Sequence, residues 1–216
     1  MTGRSRRRGL PRRFYDRDAL LVAPELLNKL LVTELGVGRI VEVEAYRGAD
    51  DAASHAFRGP TVRNATMFGP PGLLYVYFTY GMHWCANAVC MSEGTAQAVL
   101  IRALAPLEGL DAMRANRPAA RVDRDLCRGP ARLCQALGID RARDGADLVT
   151  GRGRVRILDD GVEPPQMPGL GPRVGISQAA DRLWRWWVPG DPNVSGSVRS
   201  VRSAKGDSVA VDRPPR

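Results

Sequence analysis

Lysine is nearly missing from this chain of 216 residues: Lys29 and Lys205 are the only two, against a combined lysine and arginine total of 32. Chemistry that needs an amine to form a Schiff base with a sugar therefore has two candidates at most. Histidine is as scarce, with His55 and His83 alone. The four cysteines, Cys85, Cys90, Cys127 and Cys134, form no CxxC pair and lack the dense spacing of a secreted disulfide framework. A metal site could be assembled from these residues only by choosing distant partners freely, so neither a metal nor a cofactor is expected, and the cysteines read as reduced core thiols. No stretch is long enough to span a bilayer, and the opening MTGRSRRRGLPRR has no apolar segment behind it of the kind a secretory signal needs. The expectation is a protein inside the cell with no membrane partner. No repeat at solenoid or propeller spacing appears.

What the chain does have is positive charge, a formal +9 with a pI near 10.1. Such a balance draws a protein toward polyanions, because neutralising phosphates releases their counterions. Charge alone does not choose DNA over RNA, and the preference for arginine reflects genome composition as readily as phosphate chemistry. The length suits one compact domain with a single core. Residues 1–9 read as a basic flexible arm, with a transit peptide or nuclear signal as alternatives, and 10–194 as the ordered body. Residues 195–216 are polar, small and basic, too poor in apolar groups to offset their ordering entropy, and read as a disordered basic tail.

Within the body, DALLVAPELLNKLLV is predicted to be one helix, with Pro24 in its first turn. RIVEVEAY alternates as a strand. GLLYVYFTYGMHWCANAVC reads as a hairpin turning around residues 79–82, and QAVLIRAL as a further strand. PLEGLDAMRANR, starting at Pro106, and GPARLCQALG, with Pro130 at its start and Gly138 as its cap, are predicted helices. Residues 145–171 read as loop with short strands such as RVRIL.

Period-two geometry in RIVEVEAY sends Val41, Val43 and Ala45 to one face and Ile40, Glu42, Glu44 and Tyr46 to the other. Two carboxylates and a tyrosine on so apolar a segment suggest the lining of a cleft, although a solvated strand face would look the same. In QAVLIRAL, Arg102 interrupts an otherwise buried run. A buried guanidinium needs a carboxylate partner or costs several kcal/mol, and Glu42 or Glu44 is the natural one. A purely structural ion pair explains this pattern equally well. In the hairpin Tyr75 and Tyr77 share a face, as do His83, Cys85 and Asn87 on the returning strand. Tyr80, followed by Gly81 and Met82 at the tip, could act as a wedge between base pairs or as a packed corner.

VEVEAYRGADDAASHAFRG, TVRNATMFGPPGLLYVYFTYGMHWCANAV, AVLIRALAPLEGLDAMR, DLCRGPARLCQALGI and PRVGIS, in this order and with natural spacings, closely resemble the alkyladenine (3-methyladenine) DNA glycosylase family over about residues 10–194. The resemblance implies an α+β fold, a single mixed domain built mainly on an antiparallel curved β-sheet flanked by helices, with a protruding β-hairpin that inserts into DNA. It also implies an enzyme of base excision repair. By that likeness Glu44 is the general base, and Arg102 and the main-chain carbonyl of Val174 help hold the attacking water. The flipped base is sandwiched by Tyr46 and His55, with Tyr77 on the opposite wall. Asn87 screens purine substituents, and Tyr80, with Met82 beside it, enters the DNA. The chain departs from some relatives in carrying His83 where they have a tyrosine.

The implied partner is double-stranded DNA containing damaged purines such as 3-methyladenine, 7-methylguanine or hypoxanthine, and a monomer is expected. Lys29 falls in a predicted helix and Lys205 in the tail, both distant from these motifs, so a monofunctional enzyme that leaves an abasic site is expected. Three other readings are weighed. Glu42 and Glu44, roughly 7 Å apart along a strand, resemble the carboxylate pair of an inverting glycosidase. A non-catalytic nucleic-acid-binding module of similar fold would keep the basic surface and the hairpin. An enzyme of structured RNA would share the charge and the aromatics. PGLGPRVG also resembles the hairpin of helix-hairpin-helix proteins, but no amphipathic helix follows it.

Overall fold

The computed structural model describes residues 7–79 and 81–196. Among them the strands, in chain order, are β1 (Arg8–Gly9), β2 (Leu30–Val32), β3 (Val37–Tyr46), β4 (Leu73–Thr79), β5 (His83–Cys90), β6 (Gln97–Glu108), β7 (Ala146–Asp147), β8 (Arg156–Asp159), β9 (Gly169–Gly171) and β10 (Arg185–Trp187). The helices are α1 (Arg12–Tyr15), α2 (Ala19–Leu26), α3 (Leu110–Asn116) and α4 (Pro130–Ala136). All the strands join one antiparallel, curled sheet in the order β1-β8-β2-β3-β6-β5-β4-β7. β10 pairs with the second half of β3, beyond the stretch held by β2, and carries β9 on its other side. The chain thus forms the single α+β domain that its sequence predicts.

β3 is the centre of this arrangement, and its alternation is broken once. The register with β6 shifts between Ile40 and Glu42 and again between Glu42 and Val43. One residue is therefore extra on each strand, Val41 on β3 and Arg102 on β6, the signature of β-bulges, which re-aim side chains. Ile40, expected on the carboxylate face, packs instead in the main core with Val43 and Ala45. Val41, expected in that core, packs with Ala103, Trp187 and Val194 in a small separate cluster. The same irregularity leaves Glu42 and Glu44 on one face, opposite Arg102.

Two predicted helices begin or end elsewhere. The leucine-rich segment is not one helix: α2 starts at the side-chain cap of Asp18, which accepts from the Leu20 N–H, and stops at Leu26. Pro24 sits in its second half rather than its first turn. Leu27 takes an extended ψ of 142° and Asn28 a left-handed φ of 66°, which asparagine tolerates better than most residues. Leu30–Val32 then joins the sheet between β3 and β8. Lys29 is consequently not helical; it is buried in the turn, with Nζ 2.9 Å from Asp159.

Pro106 does not start a helix either. It lies in β6 opposite Gly38, beside a register shift, where its missing N–H costs the ladder least. α3 begins only after Gly109, at φ 79°, where a Cβ would stand 2.1 Å from the Leu35 carbonyl oxygen. α4 follows its prediction, with Pro130 in the first turn and Gly138 at φ 62° beyond its end.

The ends of the body also differ from composition. Arg8 and Gly9, assigned to the arm, pair with β8. Ser195, assigned to the tail, is buried. Of those two segments, residues 1–6 and 197–216 lie outside the described residues. All four cysteines are free and buried. Among the described residues no helix is long and apolar enough to cross a membrane.

β10 was not foreseen in the sequence, and its docking depends on glycine. A Cβ built on Gly169 in β9 would lie 2.0 Å from the Trp187 indole, and one on Gly171 3.2 Å from it. Gly169→Ala is expected to force the indole out of its cluster at a cost of about 1–3 kcal/mol. For a domain of this size that lowers the melting temperature by about 2–4 °C per kcal/mol. Thermal unfolding followed by circular dichroism measures it, and an unchanged midpoint would show that Trp187 does not hold β10 in place.

Candidate active site

The floor of the site is a buried charge cluster. Glu42 and Glu44 have no solvent exposure, and Arg102 and Arg185 are almost as covered. Arg102 reaches Glu42 Oε1 through Nε at 2.8 Å and Glu44 Oε1 through Nη1 at 3.2 Å. Arg185, carried in by β10, donates Nε to the same Glu42 oxygen at 2.7 Å. Ser195 completes the group: its N–H donates to Glu42 Oε2 at 2.7 Å, and its hydroxyl donates to Oε1 at 3.0 Å while accepting from Arg102 Nη2 at 3.3 Å. Its carbonyl accepts from Arg185 Nη2 at 3.0 Å. Two anions thus face two cations, which is the condition for keeping four charges out of water.

The two carboxylates are not equivalent. Glu42 receives four donors, three on Oε1 from Arg102, Arg185 and the Ser195 hydroxyl and one on Oε2 from the Ser195 N–H. Glu44 receives three: the Val174 N–H at 2.7 Å and Arg102 on Oε1, and the Tyr46 hydroxyl at 3.0 Å on Oε2. Burial pushes the Glu44 carboxyl above the usual carboxylate range, and Glu42 adds to this; Arg102, the Val174 N–H and the Tyr46 hydroxyl pull the other way. Burial alone would lower Arg102, but Glu44 and Glu42 outweigh it and raise the guanidinium further. A carboxylate raised by burial takes up a proton more readily than one at the ordinary value.

A cavity of about 330 Å³ opens directly above, and Tyr46, Arg102 and Val174 line it. Glu44 sits immediately behind these three. The opposite part of the lining is aromatic. Tyr75 and Tyr77 stack at 5.5 Å between ring centres, and His55 meets Tyr77 edge-on at 4.4 Å. His55 Nδ1 lies 3.3 Å from the Tyr75 hydroxyl. Burial, helped by Arg63, lowers the His55 pKa, which favours the neutral ring. Burial raises the Tyr75 hydroxyl to about 12. Asn87, paired with Tyr75 across the hairpin, also lines the cavity, and its Nδ2 donates to the Tyr75 carbonyl at 3.1 Å.

Seven of the residues singled out in the sequence therefore meet at one place: Glu44, Arg102, Val174, Tyr46, His55, Tyr77 and Asn87. The Val174 N–H donates to Glu44, a contact separate from the water contact that the resemblance gives to its carbonyl. His55 and Tyr77 meet edge to face, so they are neighbours in the lining. Met82 stands apart from the cavity, 67% exposed at the hairpin end; Tyr80 lies outside the described residues.

Four participants were missed. Arg185 interrupts a tryptophan-rich run just as Arg102 interrupts its own, and the same argument would have found it. Arg173 and Asp51 form an ion pair with no side-chain exposure on either partner; both lie within motifs already quoted, but nothing local to the sequence pairs them. Ser195 carried no signal. Among the described residues no group of three or more His, Cys, Asp or Glu side chains is placed to hold a metal ion.

Comparison with known proteins agrees with this geometry. Residues 13–192 match the family model of methylpurine-DNA glycosylase. A relative from Burkholderia lata, provisionally named 3-methyladenine DNA glycosylase, is 62% identical over 190 residues, covering 88% of this chain and 92% of its own length. One of the same name from Burkholderia cenocepacia is 60% identical over 193 residues, covering 89% and 93%. Another from Streptomyces avermitilis is 48% identical over 192 residues, covering 86% and 90%. The chain belongs to the methylpurine-DNA glycosylase family: it is a DNA glycosylase, an N-glycosyl hydrolase that acts on damaged DNA.

Proposed function

We propose that this glycosylase turns an alkylated or deaminated purine, such as 3-methyladenine, 7-methylguanine or hypoxanthine, out of duplex DNA and hydrolyses its N-glycosidic bond with a water activated by Glu44. The single observation that carries the reading is the asymmetry between the carboxylates. Glu42 is tied to two arginines and to Ser195, whereas Glu44 is held by Tyr46, Arg102 and Val174, the three residues through which it adjoins an aromatic cavity.

A base inside a duplex is out of reach, so it must be extruded and given stacking surface to offset the stacking it loses. Tyr46, His55 and Tyr77 supply that surface. A neutral His55 adds no repulsion toward an alkylated, cationic base. Tyr80, with Met82 beside it, fills the gap in the duplex. Asn87 reads the purine edge with an amide already fixed by the Tyr75 carbonyl. Water held by Glu44, Arg102 and the Val174 carbonyl attacks C1′ and gives its proton to Glu44. The electrons of the C1′–N bond leave with the base, and the carboxylate stabilises the cationic sugar as it forms.

The basic surface supplies the affinity for phosphate, and the protein works as a monomer on double-stranded DNA. The product is an abasic site without a strand break. Lys29 is engaged by Asp159 at the β2–β8 side of the sheet and does not line the cavity, which supports a monofunctional enzyme.

Glu44→Gln is expected to lower single-turnover base release by about 100-fold or more, the usual contribution of a general base, with binding to lesion DNA retained. Glu42→Gln removes the anchor of two arginines and is expected to cost about 3–5 kcal/mol of stability while sparing most of the release per folded molecule. Alkali-revealed cleavage of a hypoxanthine duplex, read beside thermal unfolding, separates the two effects. Equal loss of release per folded molecule would favour a two-carboxylate mechanism.

Glu44 must be ionised to accept the proton, so the rate falls as pH drops through a pKa raised above the usual carboxylate value. The Tyr46 hydroxyl lowers that pKa, and Tyr46→Phe is therefore expected to move the acidic limb to higher pH. Rates on 7-methylguanine, which leaves without protonation, report this. A limb that stays put or moves toward acid would assign the titration to another group.

Asn87→Ser is expected to raise the release of unmodified guanine from undamaged duplex, measured as free base. No increase would leave Asn87 with a structural role in the hairpin alone.

A further inference from the structure

Tyr46 is backed by a cation. The guanidinium carbon of Arg173 lies 4.6 Å from the centre of the Tyr46 ring and 5.1 Å from that of Trp184, and Arg182 lies 4.4 Å from Trp184. Cations and rings thus follow one another as Arg182, Trp184, Arg173 and Tyr46. At the inner end Tyr46 lines the cavity, and Arg173 does not.

Arg173 is held by its edge. Nη1 and Nη2 reach the two oxygens of Asp51, Nη1 also donates to the Ala45 carbonyl at 3.1 Å, and Nη2 to the Ala179 carbonyl at 3.4 Å. Nε is buried with no hydrogen-bond partner. A buried ion pair with an unmet donor is an expensive way to support a ring, since apolar side chains of similar volume commonly serve as well or better. The charge itself is therefore the feature that needs a use.

An aromatic face attracts cations through its negative potential. A cation fixed against one face draws on that potential, so the other face becomes a poorer seat for a second cation and loses nothing toward a neutral ring. Asp51 offsets part of the Arg173 charge, but it binds the guanidinium edge, whereas Tyr46 lies under its centre. Glu44, 3.0 Å from the Tyr46 hydroxyl oxygen, acts in the opposite sense and attracts a cationic base.

We propose that Arg173, with Asp51 as its counter-charge, is a specificity-determining residue: it polarises the Tyr46 face on which the extruded base stacks and lowers the preference for cationic purine lesions over neutral ones. This rests on the stacking role given to Tyr46 above.

The test compares single-turnover release of 7-methylguanine, a cation, and hypoxanthine, neutral, from otherwise identical duplexes. Both rates come from one preparation, so any loss of folded protein cancels in their ratio. In the charge-neutral double variant Asp51→Asn/Arg173→Gln the ratio of 7-methylguanine to hypoxanthine release is expected to rise about threefold to tenfold, the scale of one cation–π contact. In Asp51→Asn alone, which leaves the guanidinium uncompensated, the ratio is expected to fall. If the double variant is inactive on both lesions, the direction of the Asp51→Asn ratio decides. Ratios equal to that of the unmodified enzyme would make Arg173 a scaffold only. An unmodified enzyme that releases neither base would instead overturn the proposed function itself.

Discussion

Arg102 lies between two carboxylates that the fold has removed from water, and much of the molecule can be traced to what that arrangement requires. Glu42 and Glu44 stand on one face of the central strand with no exposure. One guanidinium cannot neutralise both, and a second arrives on β10, whose register sets Arg185 opposite Glu44 and Trp187 opposite Glu42. Ser195 then folds over the cluster and satisfies what remains. The C-terminal part of the body is thus anchored by charge neutralisation, with the Trp187 and Val194 cluster as its apolar companion.

The same cluster divides the labour between two residues of identical chemistry. Glu42 binds both arginines and Ser195 and serves as a fixed counter-charge. Glu44 is coordinated enough to be oriented and buried enough to be raised toward neutrality. The proposed hydrolysis needs one base and a stabilised cationic sugar, and in that reading the surroundings rather than the residue type assign the part to Glu44. The bulges that shift Ile40, Val41 and Arg102 out of simple alternation make this possible, because they let core packing and the charge cluster share one short stretch of paired strands.

Much of the site was legible in advance because it rests on short-range patterns. Alternation put Glu42 and Glu44 together, Arg102 stood out in an apolar run, and the hairpin aligned Tyr75 with Tyr77 and His83 with Cys85 and Asn87. Order and spacing over the chain gave the family. The failures have physical causes. Leucines at helical spacing from residue 20 to 31 served a helix and then a strand, because an extended Leu27 and a left-handed Asn28 end the first and the edge of β3 captures the second. Pro106 was tolerated inside a strand by a register shift that no local pattern announces.

The sequence by itself determined the fold class, the family and the identity of the residues around the cavity, since these depend on composition, periodicity and ordered motifs that survive without coordinates. Only the tertiary structure decided which carboxylate is tied to two arginines and which adjoins the cavity lining, that Ser195 and Arg185 complete the charge cluster, and that a buried Arg173 backs the ring of Tyr46. Each of these is a contact between segments far apart in the chain, from 127 to 153 residues for Tyr46–Arg173, Glu42–Arg185 and Glu42–Ser195. Pairing at such separations is fixed by the collective neutralisation of buried charge and by how β10 packs, quantities that no single stretch of residues contains.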